Sequence, residues 1–102
     1  MKPALTSERI ERGVQEAAKV FEVPHRELLS KIRIPSITRA RLALYAALYD
    51  GCQTSYTEMG WRLKRDHSTL VWGVRRAREM AADDSEYAIA LARVSAVVRY
   101  GY

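Results

Sequence analysis

Five consecutive residues, Arg65-Asp66-His67-Ser68-Thr69, concentrate a guanidinium, a carboxylate, an imidazole and two hydroxyls. Asp, Ser and Thr oxygens satisfy the free backbone N–H groups of a helix's first turn. Arg62, Lys64 and Arg65 place three cations at the approach to that turn. Leu70, Val74, Ala77 and Ala81 then recur at steps of 4, 3 and 4 residues, the apolar stripe of a helix. A helix that opens in this way suits an anionic partner with readable polar edges, as in the major groove of a duplex and its phosphates. Catalytic chemistry finds no support. Two His, the single Cys52 and no carboxylate cluster give neither a nucleophile–base pair nor a metal-ligand spacing. The chain is therefore read as a non-enzyme that needs no metal and no cofactor.

The elements that must position this turn read as helices throughout. Thr6 or Ser7 caps a first helix with Ile10, Val14, Ala17 or Ala18 and Phe21 on its inner face, ended by Val23-Pro24. A short helix follows from about His25 to Leu29. Ser30 to Ser36 reads as a linker carrying Lys31 and Arg33, and Pro35 bars helix before it. Ser36 or Thr38 caps a helix over 37–49, which Asp50-Gly51 stops. Its inner face is Leu44, Leu48 and either Ile37 or Ala40. A helix over about 55–63 has Tyr56, Met59 and Leu63 as apolar contacts, and Trp61 is read as core. Gly60 is either a weak helix position or a point of close approach. The helix that opens at Asp66 runs to about 82. Asp83-Asp84-Ser85 caps a last helix striped by Tyr87, Leu91, Val94 and Val98. The expectation is an all-α, compact bundle of about six helices in a single domain over 1–102. It contains a helix-turn-helix made of the short helix about 55–63 and a recognition helix about 66–82.

Composition bounds the partner. The formal charge of +5 is uneven: residues 26–41 hold five basic groups against one acidic, and 62–78 hold six against one. The rest is neutral to acidic, so the two basic islands form an electrostatic footprint for nucleic acid. No apolar run approaches the roughly 20 residues that span a bilayer, and no membrane partner is expected. The N-terminal segment lacks a signal-peptide core. With Cys52 alone unable to form an internal disulfide, the cytoplasm, on the nucleoid, is the expected location. Met1 and the lead segment are expected to mark a complete small protein rather than an excised domain.

Arg65-Asp66-His67-Ser68-Thr69-Leu70 resembles the signature that opens the recognition helix in the C-terminal DNA-binding domain of the bacterial chromosomal replication initiator, DnaA. Glu58-Met59-Gly60 is similar to that family's acidic-aliphatic-Gly step. Leu28-Leu29-Ser30-Lys31-Ile32-Arg33 looks like its Leu-rich turn and basic loop, and Arg39-Ala40-Arg41 like the Arg-x-Arg of its next helix. Order and spacing hold from about Ile10 to Val98, with one deletion before Arg65. The resemblance implies sequence-specific binding of double-stranded DNA at an initiator-type box, by one copy of the chain, in control of replication initiation or transcription.

The same resemblance implies roles. Arg33 enters the minor groove, where width and acceptors report A·T pairs. Asp66 accepts from a cytosine amino group. His67 and Ser68 lie on base edges, Thr69 and Arg41 hold phosphates, and Tyr56 and Thr57 approach thymine. Lys31 and Arg65 neutralise phosphates, and Trp72 lies near DNA or packs on helix 37–49. Four departures, Tyr56-Thr57 for an aliphatic-Pro pair, Ser36 after a Pro, Leu42 for a polar contact and Trp72 for a small or basic residue, imply a shifted base preference. No Gly-x-x-x-x-Gly-Lys-Ser/Thr loop is present, so no nucleotide is bound and no ATPase step is expected. The rival reading is a protein-interaction module that keeps the initiator fold and binds replication machinery without reading DNA. Neither reading assigns a role to Cys52 or to the aromatic tail Tyr100-Gly101-Tyr102.

Overall fold

Three of the five helices begin at a side-chain oxygen that accepts from a first-turn amide. The computed structural model describes residues 1–101, with α1 at Ser7–Phe21, α2 at Pro35–Gly51, α3 at Tyr56–Leu63, α4 at His67–Asp83 and α5 at Ser85–Tyr100. Tyr102 of the aromatic tail lies outside the described residues. Thr6 caps α1 by accepting from the Arg9 amide at 3.1 Å, and Ser55 caps α3 by accepting from Glu58 at 3.1 Å. Asp84 alone separates α4 from α5. Its carboxylate accepts from the amides of Glu86 (3.0 Å) and Tyr87 (3.2 Å) and from Arg39 (2.7 Å).

Two details depart from the sequence expectation. The short segment after Pro24 is a single 3-10 turn, His25–Glu27, leaving five α-helices instead of six. Helix α2 starts at Pro35 itself, because proline at the first helical position loses no hydrogen bond. It then runs through Gly51, which stays helical where a stop was expected. Among the described residues no strand forms; one isolated bridge pairs Ala4 with Gln53.

Helix α2 is the centre of the bundle. All nine positions from 40 to 48 are buried, and the helix packs against α1, α4 and α5. A helix apolar around its whole circumference has no solvent face to keep. The inner faces expected of α1, α4 and α5 pack onto it: Val14 and Ala17, Leu70, Val74 and Ala77, Tyr87, Val94 and Val98 are buried. At the α2–α4 crossing, a Cβ on Gly73 would meet Tyr45 Cδ2 at 2.9 Å, so α4 lies close on α2 only because the residue is glycine. Cys52 is buried at 2 % exposure, and burial pushes its thiol pKa up. No described helix is long and apolar enough to cross a membrane.

Tyr87 locks α5 to α2 by donating its hydroxyl to the Arg39 carbonyl at 2.9 Å. Burial pushes its pKa up to about 12, against the opposing pull of Arg39 and Arg76. The folded state therefore favours the neutral phenol. That contribution is complete below about pH 10, where an unfolded tyrosine is also neutral, and fades as pH rises toward 12. The unfolding free energy from urea titrations should fall steadily across that interval, by about 2–3 kcal/mol in total. Tyr87→Phe should start lower and show a flatter fall; an unchanged fall would assign the alkaline loss to other groups.

Candidate nucleic-acid interface

The connection between α3 and α4 is tight for a steric reason. Lys64 takes a left-handed conformation (φ 56) as the cap of α3, and the amides of Lys64 and Arg65 both donate to the Gly60 carbonyl. A Cβ on Gly60 would stand 2.8 Å from the Arg65 carbonyl oxygen, so of the two readings of Gly60 close approach holds. The turn delivers Asp66 and the first turn of α4 to the surface. Asp66, His67, Ser68 and Thr69 are all exposed.

Asp66 stands at the cap position but makes no capping bond to the helix backbone. Its Oδ2 instead accepts the Ser68 hydroxyl at 2.6 Å. The carboxylate is thus oriented by a side chain and keeps acceptor capacity toward solvent. His67 sits to the α3 side, edge-on to Tyr56 with centroids 5.8 Å apart. Tyr56 in turn stacks on Tyr49 at 4.2 Å, with the rings 5° from parallel. Arg78 completes the row, 5.9 Å over the Tyr49 ring and paired with Asp50 at 2.6 Å.

On the other flank of α4 lies an open concavity of about 1190 Å³, bounded by the 30–33 loop, the start of α2 and the 64–69 segment. Seven cations and one acid, Asp66, line it. The structure brings together Lys31, Arg33, Arg41, Arg65, Asp66, Ser68, Thr69 and Trp72 along this wall. Tyr56, Thr57 and His67 do not line it. Thr57 is exposed in the first turn of α3, and Tyr56 and His67 belong to the ring row. The sequence reading gave no role on this wall to Thr38, Arg39 and Met80; the 72/76/80 spacing on α4 was the signal for Met80.

Two of the cations face inward. Arg41, only 8 % exposed, donates from Nε to the Leu28 carbonyl (2.7 Å), from Nη1 to Ile32 (2.9 Å) and from Nη2 to Glu27 (3.1 Å). Burial lowers its pKa; Tyr45 opposes this, and Arg65 and Arg33 add to it. Arg65 commits five hydrogen bonds: Nε to the Tyr45 hydroxyl, Nη1 to the carbonyls of Leu63 and Lys64, and Nη2 to those of Leu29 (2.5 Å) and Ser30 (3.0 Å). A guanidinium has five N–H donors, so none of Arg65's is left for a phosphate. Both arginines dock the 27–32 backbone, Arg41 onto α2 through three of its five donors and Arg65 onto the α3–α4 turn through all of its own.

What this leaves facing outward is Lys31, Arg33 and Lys64, all exposed and paired with no carboxylate among the described residues. Arg39 and Arg76 are partly neutralised, by Asp84 at 2.7 Å and Glu79 at 3.5 Å. Trp72 is 55 % exposed on the wall, whereas Trp61, expected in the core, is 85 % exposed on the outer side of α3. No protein-family model matches the chain.

Arg41→Ala should destabilise the fold by about 2–4 kcal/mol, because it strands buried carbonyls with no donor. Arg33→Ala, losing no partner, should stay within about 0.5 kcal/mol of the parent. Urea unfolding followed by circular dichroism separates the two; equal effects would remove the docking role from Arg41.

Proposed function

We propose that this chain is a sequence-specific double-stranded-DNA-binding domain that reads an initiator-type box through a helix-turn-helix formed by α3 and α4. It works by binding, without nucleotide hydrolysis, in control of replication initiation or transcription. The observation that carries this reading is the concavity. Seven cations against one acid lie between a basic loop and the exposed, polar first turn of a helix. A duplex presents major and minor grooves roughly 12 and 6 Å wide, side by side. The first turn of α4 suits the former and Arg33 the latter.

Residue roles follow from which groups face outward. Asp66, His67 and Ser68 address base edges, and Arg33 senses a narrow, A·T-rich minor groove. Lys31, Lys64 and the Thr69 hydroxyl take phosphates, with Arg75 and Arg76 further along α4. Thr57 meets the groove from the first turn of α3, while Tyr56 supports His67. With about five outward cations, Lys31, Arg33, Lys64, Arg75 and Arg76, on phosphates or in the groove, the slope of log affinity against log salt should be roughly −4 to −5.

The test is fluorescence anisotropy on a duplex bearing an initiator-type box, a scrambled duplex and a duplex selected from random sequences, each at two salt concentrations. A preference of at least about tenfold over the scrambled duplex for the box or the selected site, about 1.4 kcal/mol, is expected. Arg33→Ala should weaken binding by about 1–3 kcal/mol. Asp66→Ala should relax base preference with little change in melting temperature, since no capping bond is lost. Equal affinity for all three duplexes would overturn sequence reading. Absence of binding to any of them would hand the case to the protein-interaction reading, whose supporting feature is the exposed Trp61.

A further inference from the structure

The concavity joins two kinds of surface. Leu42, Trp72, Met80 and Pro35 line it with apolar surface, and Lys31, Arg33 and Lys64 line it with exposed cations. Arg65 also lines the concavity, but its donors go to the Tyr45 hydroxyl and to carbonyls, and three of Arg41's five donors go to loop carbonyls. Trp72 leaves over half of its surface in solvent on a face that also carries seven cations. An exposed apolar group beside cations suits a ligand segment that is itself carbon, flanked by anions. Phosphate alone would gain nothing from an indole, and among base edges only the thymine methyl offers apolar surface.

We infer that Trp72 is a sequence-independent anchor that packs on the deoxyribose of the single backbone strand separating the two grooves. The inference rests on the DNA-binding reading. If Arg33 enters a minor groove and Ser68 the adjacent major groove, one sugar–phosphate strand must cross the space between them, and that space is the concavity. The sugar's methylene and methine carbons then meet Trp72 and Leu42, while its two phosphates meet the exposed cations. A contact of this kind releases no counterion and reads no base. It therefore has a signature that separates it from every other contact on this face. Removing an exposed cation reduces the salt slope by about 1, removing a base reader relaxes sequence preference, and removing an apolar sugar contact does neither.

The experiment compares the parent, Trp72→Ala, Trp72→Phe and Lys31→Ala on the selected duplex and on its scrambled form, over four salt concentrations. Trp72→Ala is expected to weaken both duplexes by a similar factor, about tenfold, with the salt slope and the ratio between duplexes unchanged. Trp72→Phe should recover most of the loss, and Lys31→Ala should lower the slope. A second readout uses a Trp61→Phe background, in which Trp72 is the only indole. Added duplex should shift its emission to the blue and protect it from acrylamide.

Loss of sequence preference in Trp72→Ala would make Trp72 a base reader, and a reduced slope would tie it to phosphate. Full affinity with unshifted emission would take it off the interface. Each of these overturns the inference while leaving the DNA reading intact. Failure of the parent to bind any duplex would overturn both. Melting temperatures of the variants, expected to match the parent because the side chain is half exposed, exclude misfolding as the cause of lost affinity.

Discussion

The geometry of this face depends on two guanidiniums that turn inward. The 27–32 segment lies largely outside regular helix, so its carbonyls lack the partners that a longer helix would give them. Arg41 from α2 and Arg65 from the α3–α4 turn supply those partners. The Ser30 hydroxyl adds a bond to the Glu27 carbonyl and accepts from the Ile32 amide. Without these bonds the loop bearing Lys31 and Arg33 would be an untethered connection; with them it holds a set position relative to the first turn of α4. Two arginines thereby convert a flexible charged loop and a helix end into one rigid surface, the pre-organisation that a binding face needs to avoid ordering costs on association.

The core explains why the arginines can do this. Helix α2 is enclosed from Ala40 to Leu48, and Arg41 is the only charged residue in that stretch. A buried guanidinium is tolerated because several carbonyls surround it and it keeps its planar fork of donors. The same helix fixes α4 through the close contact at Gly73 and α5 through the Tyr87–Arg39 hydrogen bond. Loop, α2 and α4 are thus referenced to one central rod.

Much of the helix pattern was legible because capping and periodicity are local. A side-chain oxygen at Thr6 or Ser55 finds an amide three residues on, whatever the tertiary structure does. The buried faces of α1, α4 and α5 followed from their stripes for the same reason. Burial all round α2 was not legible from a search for one stripe, though the lack of charges after Arg41 carried it. Trp61 was misplaced by residue type alone. Met59 and Leu63 are buried, and Trp61 is two residues from each, which on a helix puts it on the far side. Side-chain chemistry placed Lys31, Arg33, Asp66, Ser68, Thr69 and Trp72 on one wall, but gave no means to tell which arginines turn toward carbonyls. That choice is made by a loop backbone whose unpaired groups are invisible in composition.

Asp66 gains its meaning from this division of labour. Inward arginines still lend their charge to the concavity, so every phosphate near it is attracted whatever the sequence. A lone carboxylate among seven cations works against that attraction. On the proposed DNA-binding function, a carboxylate held by Ser68 and not consumed as a helix cap would repel a phosphate in a misplaced complex and accept from a base amino group in the right one. Within the DNA-binding reading, this gives up general affinity for discrimination, since specificity is a difference between affinities and grows when the wrong complex is penalised. The penalty works only if Asp66 cannot swing away from the misplaced phosphate. The Ser68 hydrogen bond and the turn closed at Gly60 supply that restraint.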